Sequence, residues 1–237
     1  MLLRRLTGHV KAQNWTAVGL DFFIVVIGVF IGIQVANWND TRAEDRREKV
    51  LLQRLHSDFE RIVSWGDEFV PLTRALPSNT SYLIERIRAD IEPQTDDEKF
   101  LQGLAASVTL IGPFEISPTY EELVSTGTLS RITNTDLRDA LSSYGRFRET
   151  EFIVTEKLYA VQNTGVMREA VQFRTHEEDP LETAIPVTFD WEALKDTEPH
   201  LQVVLQNQLF SIDWKQGTLN SAREVLTLLE AELGLAD

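Results

Sequence analysis

Residues 22–36 read FFIVVIGVFIGIQVA, and an apolar run of that kind leaves a chain few options. The run is short of the roughly 20 residues that a bilayer needs. Extension back to Trp15 and forward to Trp38 supplies the length, and a tryptophan at each end suits the depth at which indole rings settle at a lipid interface. The alternatives are a cleaved signal peptide and a buried core helix. A signal peptide has a shorter apolar stretch and small residues one and three places before the cut, whereas a cut after Ala36 would place Gln34 at the second of these. We read residues 15–38 as an uncleaved transmembrane helix, with residues 1–14 as a short cytoplasmic tail before it.

Charge bears on orientation and on partners. The first 20 residues carry Arg4, Arg5 and Lys11 and no acid, while residues 39–49 balance four acids with four bases. Almost all of the net charge of −14 therefore lies beyond residue 50. An acidic domain repels nucleic acid, so no nucleic-acid role is expected. Basic residues also follow the span (Arg42, Arg46, Arg47, Lys49, Arg54), so the rule that counts them does not settle the topology. A short tail before a signal-anchor usually stays inside, which favours a soluble domain in the periplasm or outside.

One side of the apolar helix differs from the rest. At 100° per residue, Asn14, Ala17, Asp21, Val25, Gly28, Gly32, Ala36 and Asn39 fall on one stripe, with Phe23, Ile27, Phe30 and Ile31 opposite. Small residues four apart let two helix backbones approach in lipid, so Asp21, Gly28, Gly32 and Ala36 form a candidate helix-association face. An ionised carboxylate in hydrocarbon costs about 3 kcal/mol on insertion scales, so Asp21 must be neutral, wet or paired. Two readings stand: a carboxyl at a helix contact, or one reaching toward headgroups through a local water defect.

Beyond the span the pattern stays helical, and the fold expected is mainly α. Leu52, Leu55, Phe59 and Ile62 recur at spacings of three and four, predicting that the anchor continues as a long amphipathic juxtamembrane helix over residues 39–66. Gly66 and Pro71 are expected to break it. A helical-bundle soluble domain, residues 67–237, follows. In it, residues 77–81 read as a turn, residues 82–91 as a short helix, Thr95 as the cap of the next, and Pro118 as the start of another. A long helix starts near Asn134 and is drawn to about Phe173, with a polar loop over residues 176–189 and a short strand at residues 185–189. The last helix carries Leu201, Leu205, Gln208, Ile212, Leu219, Ala222, Leu226, Leu229 and Leu233 in a near-heptad course interrupted by Gln208 and Lys215. That course fits either a seam within one bundle or a seam between copies.

Catalytic and cofactor signatures are missing. Cysteine is absent, which removes disulfides, thiol catalysis and thiolate metal sites. His9, His56, His176 and His200 form no metal-ligand spacing, and there is no phosphate-binding glycine loop or nucleophile elbow. The run His176-Glu177-Glu178-Asp179 reads as a solvated acidic loop. Trp65, Trp191 and Trp214 suit core packing or a ligand pocket, the former being usual. No catalytic, cofactor or metal residue is assigned.

Two stretches resemble a bacterial family of uncharacterised single-span membrane proteins, defined as a domain of unknown function. The first is AVGLDFFIVVIGVFIGIQVANWND, then a charged run and LLQRLHSDF. It is similar to a family pattern of an acid at the start of the span, a V-I-G-x-x-I-G/A core and N-x-W-N-D/E. Asp21, Gly28, Gly32, Asn37, Trp38, Asn39 and Asp40 match, with Asp21 where Glu is usual. The second, TYEELVSTGTLSRITNTDLRDALSSY, is similar to E-L-x-S-S-G-x-L-x-x-I-x-x-x-x-L-R through Glu122, Leu123, Ser125, Gly127, Leu129, Ile132, Leu137 and Arg138. The resemblance implies architecture alone. Read physically, Ser125-Thr126-Gly127 ends a helix with Gly127 in a left-handed cap.

These features point to a membrane-anchored, non-enzymatic interaction or scaffold protein. Its partners would be membrane lipid and either a second copy or another membrane protein. The alternative is a ligand-sensing or ligand-binding domain outside the cytoplasm.

Overall fold

The computed structural model describes residues 15–94, 97–109, 112–162, 164–174 and 185–235, and of residues 15–19 and 21 the backbone alone. The chain is mainly α, as its periodicity predicts. Helix α1 (Trp15–Thr73) is continuous over 59 residues. After it come α2 (Ala75–Arg88), α3 (Glu98–Val108), α4 (Pro118–Ser125), a 3-10 turn (Leu129–Arg131) and α5 (Thr135–Gln162). Then follow α6 (Val166–Ala170), strands β1 (Val171–Arg174) and β2 (Ile185–Phe189), α7 (Trp191–Lys195) and α8 (Glu198–Leu233). By contacts the chain divides into a first unit, residues 1–50, and a second, residues 51–237.

The described part of the first unit is α1 alone. Its large apolar side chains from Leu20 to Val35, and Trp38, are between 42% and 70% exposed. Within this unit the helix is long and apolar enough to cross a membrane by length and composition.

The second unit holds two cores. In one, Leu52, Leu55, Phe59 and Ile62 from α1 meet Leu123, Leu137, Leu141 and Tyr144 and, from α8, Leu219, Val225 and Leu229. In the other, Leu83, Ile84 and Ile87 of α2 meet Phe100 and Leu104 of α3, together with Val171, Leu194 and Leu201. Helices α5 and α8 make the most extensive pairing, and Leu201, Gln208, Leu219, Ala222 and Leu229 are buried within the chain. The heptad course of α8 is therefore a seam of the bundle itself.

Several expected breaks are absent. Gly66 does not end α1: it is buried, and a Cβ there would lie 2.6 Å from a Leu219 methyl and 2.9 Å from the Phe114 ring. It is a close-approach glycine. Pro71 sits in the last turn of α1 without stopping it before Thr73. Pro77, expected in a turn, lies in the first turn of α2, where a missing N–H removes no helical bond. Asp97 caps α3 by accepting from Phe100 N at 3.0 Å; Thr95, expected in that role, lies outside the described residues.

Helix α5 stops at Gln162, well short of Phe173, and Gly165 with φ +84° turns the chain into α6 and then β1. Strand β2 falls where expected. Its antiparallel partner β1 lies in sequence read as helix, and the pairing carries a bulge between Gln172 and Phe173. The acidic run at residues 176–179 lies outside the described residues.

Candidate interaction site

Gly28, Gly32 and Ala36 are exposed on α1, and a Cβ at either glycine meets nothing within 4 Å. Their helical spacing keeps them on one side, open to a second backbone. Asp21 lies on the same helical stripe, its side chain outside the described residues. At the end of the apolar run, Asn37, Trp38, Asn39 and Asp40 are exposed. Thr41 donates its hydroxyl to Asn37 O at 3.0 Å, and the Arg42 guanidinium lies 4.0 Å from the centroid of the Trp38 ring.

The remaining motif residues build a corner in the second unit. Helix α4 ends in a Schellman motif: Thr128 N donates to Leu123 O at 2.9 Å and Gly127 N to Val124 O at 3.1 Å, with Gly127 at φ +67°. The Ser125 and Thr126 hydroxyls donate back to Glu122 O at 3.1 and 2.6 Å. Glu122 itself receives Arg54 from α1 at 2.6 Å. Arg138 donates to Ile132 O at 2.6 Å, and Ile132 and Leu137 are fully buried. The polar residues of this motif thus make a helix corner, and the apolar ones dock it.

Three polar features escaped sequence reading. Asp58 on α1 accepts the Ser117 hydroxyl at 2.7 Å and Thr119 N at 3.0 Å, so it caps the start of α4 from another helix. Burial pushes its carboxyl up, but the bonds from Ser117 and Thr119 and the Arg61 charge outweigh it and hold the group below the ordinary carboxylate range.

Second, Lys215 of α8 donates to Glu151 of α5 at 2.5 Å and to Gly112 O at 2.7 Å, both side chains being about 1% exposed. Glu151 also accepts from Phe114 N at 3.3 Å and from the Thr155 hydroxyl at 3.2 Å. Burial lowers the Lys215 pKa, and the Glu151 carboxylate opposes that. Third, Gln208 donates to Ala106 O at 2.9 Å, and Gln162 to Ser107 O at 3.4 Å and Thr109 O at 3.2 Å. These carbonyls belong to the end of α3, which the two glutamines cap from α8 and α5. The only signal for these features was the interruption of the α8 heptad at Gln208 and Lys215.

Trp65, Trp191 and Trp214 pack against other rings. Trp65 stacks on Phe69 at 4.5 Å, and Trp191 and Trp214 lie 6.3 and 6.0 Å from Phe100 and Phe147. A groove of about 430 Å³ opens instead beside Ile116, Tyr120, Val124, Arg148 and Phe152, with Gly145 letting Tyr120 approach closely. Among the described residues no cluster of His, Asp and Glu could hold a metal ion.

Residues 21–174 match DUF6090, described as a family of unknown function. The chain belongs to DUF6090. No curated protein and no solved structure matches it. The DUF6090 match takes in the exposed apolar run, the α4 corner, the groove and Glu151, and it stops before α8, the helix that supplies Lys215 and Gln208.

Proposed function

We propose that this DUF6090 member is a bacterial inner-membrane protein that spans the bilayer once, over residues 15–38, and acts without catalysis as a self-associating interaction protein. The observation that carries this reading is the exposure of the entire apolar run, whose large side chains stay at least 42% exposed. No described part of the chain covers it, and soluble monomers rarely leave so large an apolar patch in water. At 1.5 Å per residue the span is about 36 Å long, enough for a hydrocarbon core of about 30 Å with some tilt. The occupant of the Asp21–Gly28–Gly32–Ala36 face is a second copy of the chain, because open glycines four apart favour close backbone approach. The second unit would lie in the periplasm.

Retention in the membrane pellet after an alkaline wash tests the anchor; release overturns it. Energy transfer between donor- and acceptor-labelled chains in vesicles tests self-association. Gly28→Leu should weaken it by blocking close backbone approach, and Asp21→Ala should change it. No change in either variant removes the face from the account. Alkylation of single introduced cysteines in intact spheroplasts reads orientation; a protected C-terminal cysteine would overturn the periplasmic placement.

The groove beside Tyr120 and Phe152 favours a second reading, a ligand-binding domain outside the cytoplasm. Its volume is in the range of small-molecule sites.

A further inference from the structure

The end of the apolar run carries a second chemistry, and it is cationic. From Trp38, the helical rotation of 100° per residue places Lys49 about 20°, Arg42 about 40° and Arg46 about 80° around the axis. All four side chains are exposed. Asp45 shares the sector, while Asp40, Glu44, Arg47 and Glu48 lie outside it, so the sector from Asp45 to Arg46 keeps a net charge of about +2 and the rest of the helix surface balances it. The Arg42 guanidinium lies 4.0 Å from the Trp38 ring centroid, one helical turn back toward the apolar run. Stacking of this kind engages the face of a guanidinium and leaves its in-plane N–H donors for oxygen acceptors.

Depth selects the partner. The polar zone of a bilayer is about 5–8 Å thick on each side. Arg42 follows Trp38 by about 6 Å along the axis, Arg46 by about 12 Å and Lys49 by about 16 Å. With Trp38 at the edge of the hydrocarbon, Arg42 is level with lipid phosphates. The long side chains of Arg46 and Lys49 can bend back toward them. A free anion would meet Asp45 and bulk water with no reason to settle there. A phospholipid is held in place by its acyl chains beside the same apolar helix.

We infer that Trp38, Arg42, Arg46 and Lys49 form a binding stripe for the headgroup of an anionic phospholipid, the ring seating Arg42 and the three cations meeting the phosphate and its extra charge. This rests on the membrane-anchor reading given above.

The test uses the full chain carrying Trp15→Phe, reconstituted in phosphatidylcholine vesicles that contain dibrominated phosphatidylglycerol or dibrominated phosphatidylcholine. Quenching of tryptophan emission near the bilayer reports which lipid sits beside Trp38. Quenching should reach half its limit at about fivefold lower mole fraction of the brominated phosphatidylglycerol, the effect of one well-placed cation at a lipid surface. The ratio should fall toward one in the R42Q/R46Q/K49Q variant, whose side chains are exposed and outside both cores, and in high salt. A ratio of one in the unaltered stripe, or a ratio unchanged by the triple substitution, overturns the inference and leaves the anchor standing. Failure of both brominated lipids to quench overturns the anchor reading and this inference with it.

Discussion

The two units place apolar side chains in opposite ways. In the first, phenylalanines, isoleucines and valines face outward along α1 from Leu20 to Val35. In the second, the same residue types are inside, and the interior also holds an ion pair, two glutamines and several hydroxyls. The contrast teaches that the meaning of a residue type here depends on whether other side chains of the same chain enclose it. A glycine on the first unit's helix leaves open space, whereas Gly66, on the same helix, is required by a neighbour 2.6 Å from where its Cβ would be. Lys49, beyond the apolar run, is exposed, whereas Lys215 is enclosed with a carboxylate and a carbonyl.

The strongest way to break this comparison is at the buried pair. Lys215→Met should leave the buried Glu151 carboxyl without its cation and destabilise the second unit by about 3–5 kcal/mol. Adding Glu151→Leu should restore most of the loss, because desolvating two charges roughly cancels their attraction. Urea unfolding followed by circular dichroism measures both; equal stability of the single variant and the parent would show the pair is not enclosed. The next effect sharpens the glycine contrast. Gly66→Ala should cost about 1–3 kcal/mol through overpacking against Leu219 and Phe114. Gly32→Ala should leave the unfolding midpoint of the second unit unchanged.

A smaller effect belongs to Asp58. Asp58→Asn keeps an acceptor and removes the charge, so at neutral pH it should cost less than the roughly 0.5–2 kcal/mol of a cap lost to alanine. Because the folded carboxyl titrates below its unfolded counterpart, this stability is present above the unfolded pKa. It is lost as pH falls through the folded one, so the gap between variant and parent should close in acid. A gap independent of pH would mean that the carboxylate charge plays no part. Last, Gly127→Ala should cost about 1 kcal/mol, the strain of a left-handed residue with a Cβ, and shorten α4 by hydrogen exchange.

Much of the helical order was legible because apolar spacing reports burial directly. Leu52, Leu55, Phe59 and Ile62 were assigned inward, and all four are buried. The cap at Gly127 was legible too, since a Ser-Thr-Gly ending has few other uses. What failed was the reading of breakers and interruptions. Gly66 and Pro77 look like stops in a single helix, yet one answers to Leu219 and Phe114 from distant sequence and the other sits where a proline costs nothing. Strand β1 escapes such a reading because four residues hold too little periodicity, and its partner β2 lies more than ten positions further along the chain. Gln208 and Lys215 were seen as flaws in a heptad. Their partners, Ala106, Gly112 and Glu151, are more than sixty positions away, so spacing along α8 could not reveal what they satisfy.

The glutamine pair at the end of α3 has a consequence for how the second unit comes apart. Gln162 and Gln208 reach the last carbonyls of that helix from two others, so its final turn cannot fray as an ordinary terminus does. Opening it strands amides on α5 and α8 at the same moment, which ties three helices into one cooperative step. Protease attack near Thr109 should then wait for the whole bundle to loosen.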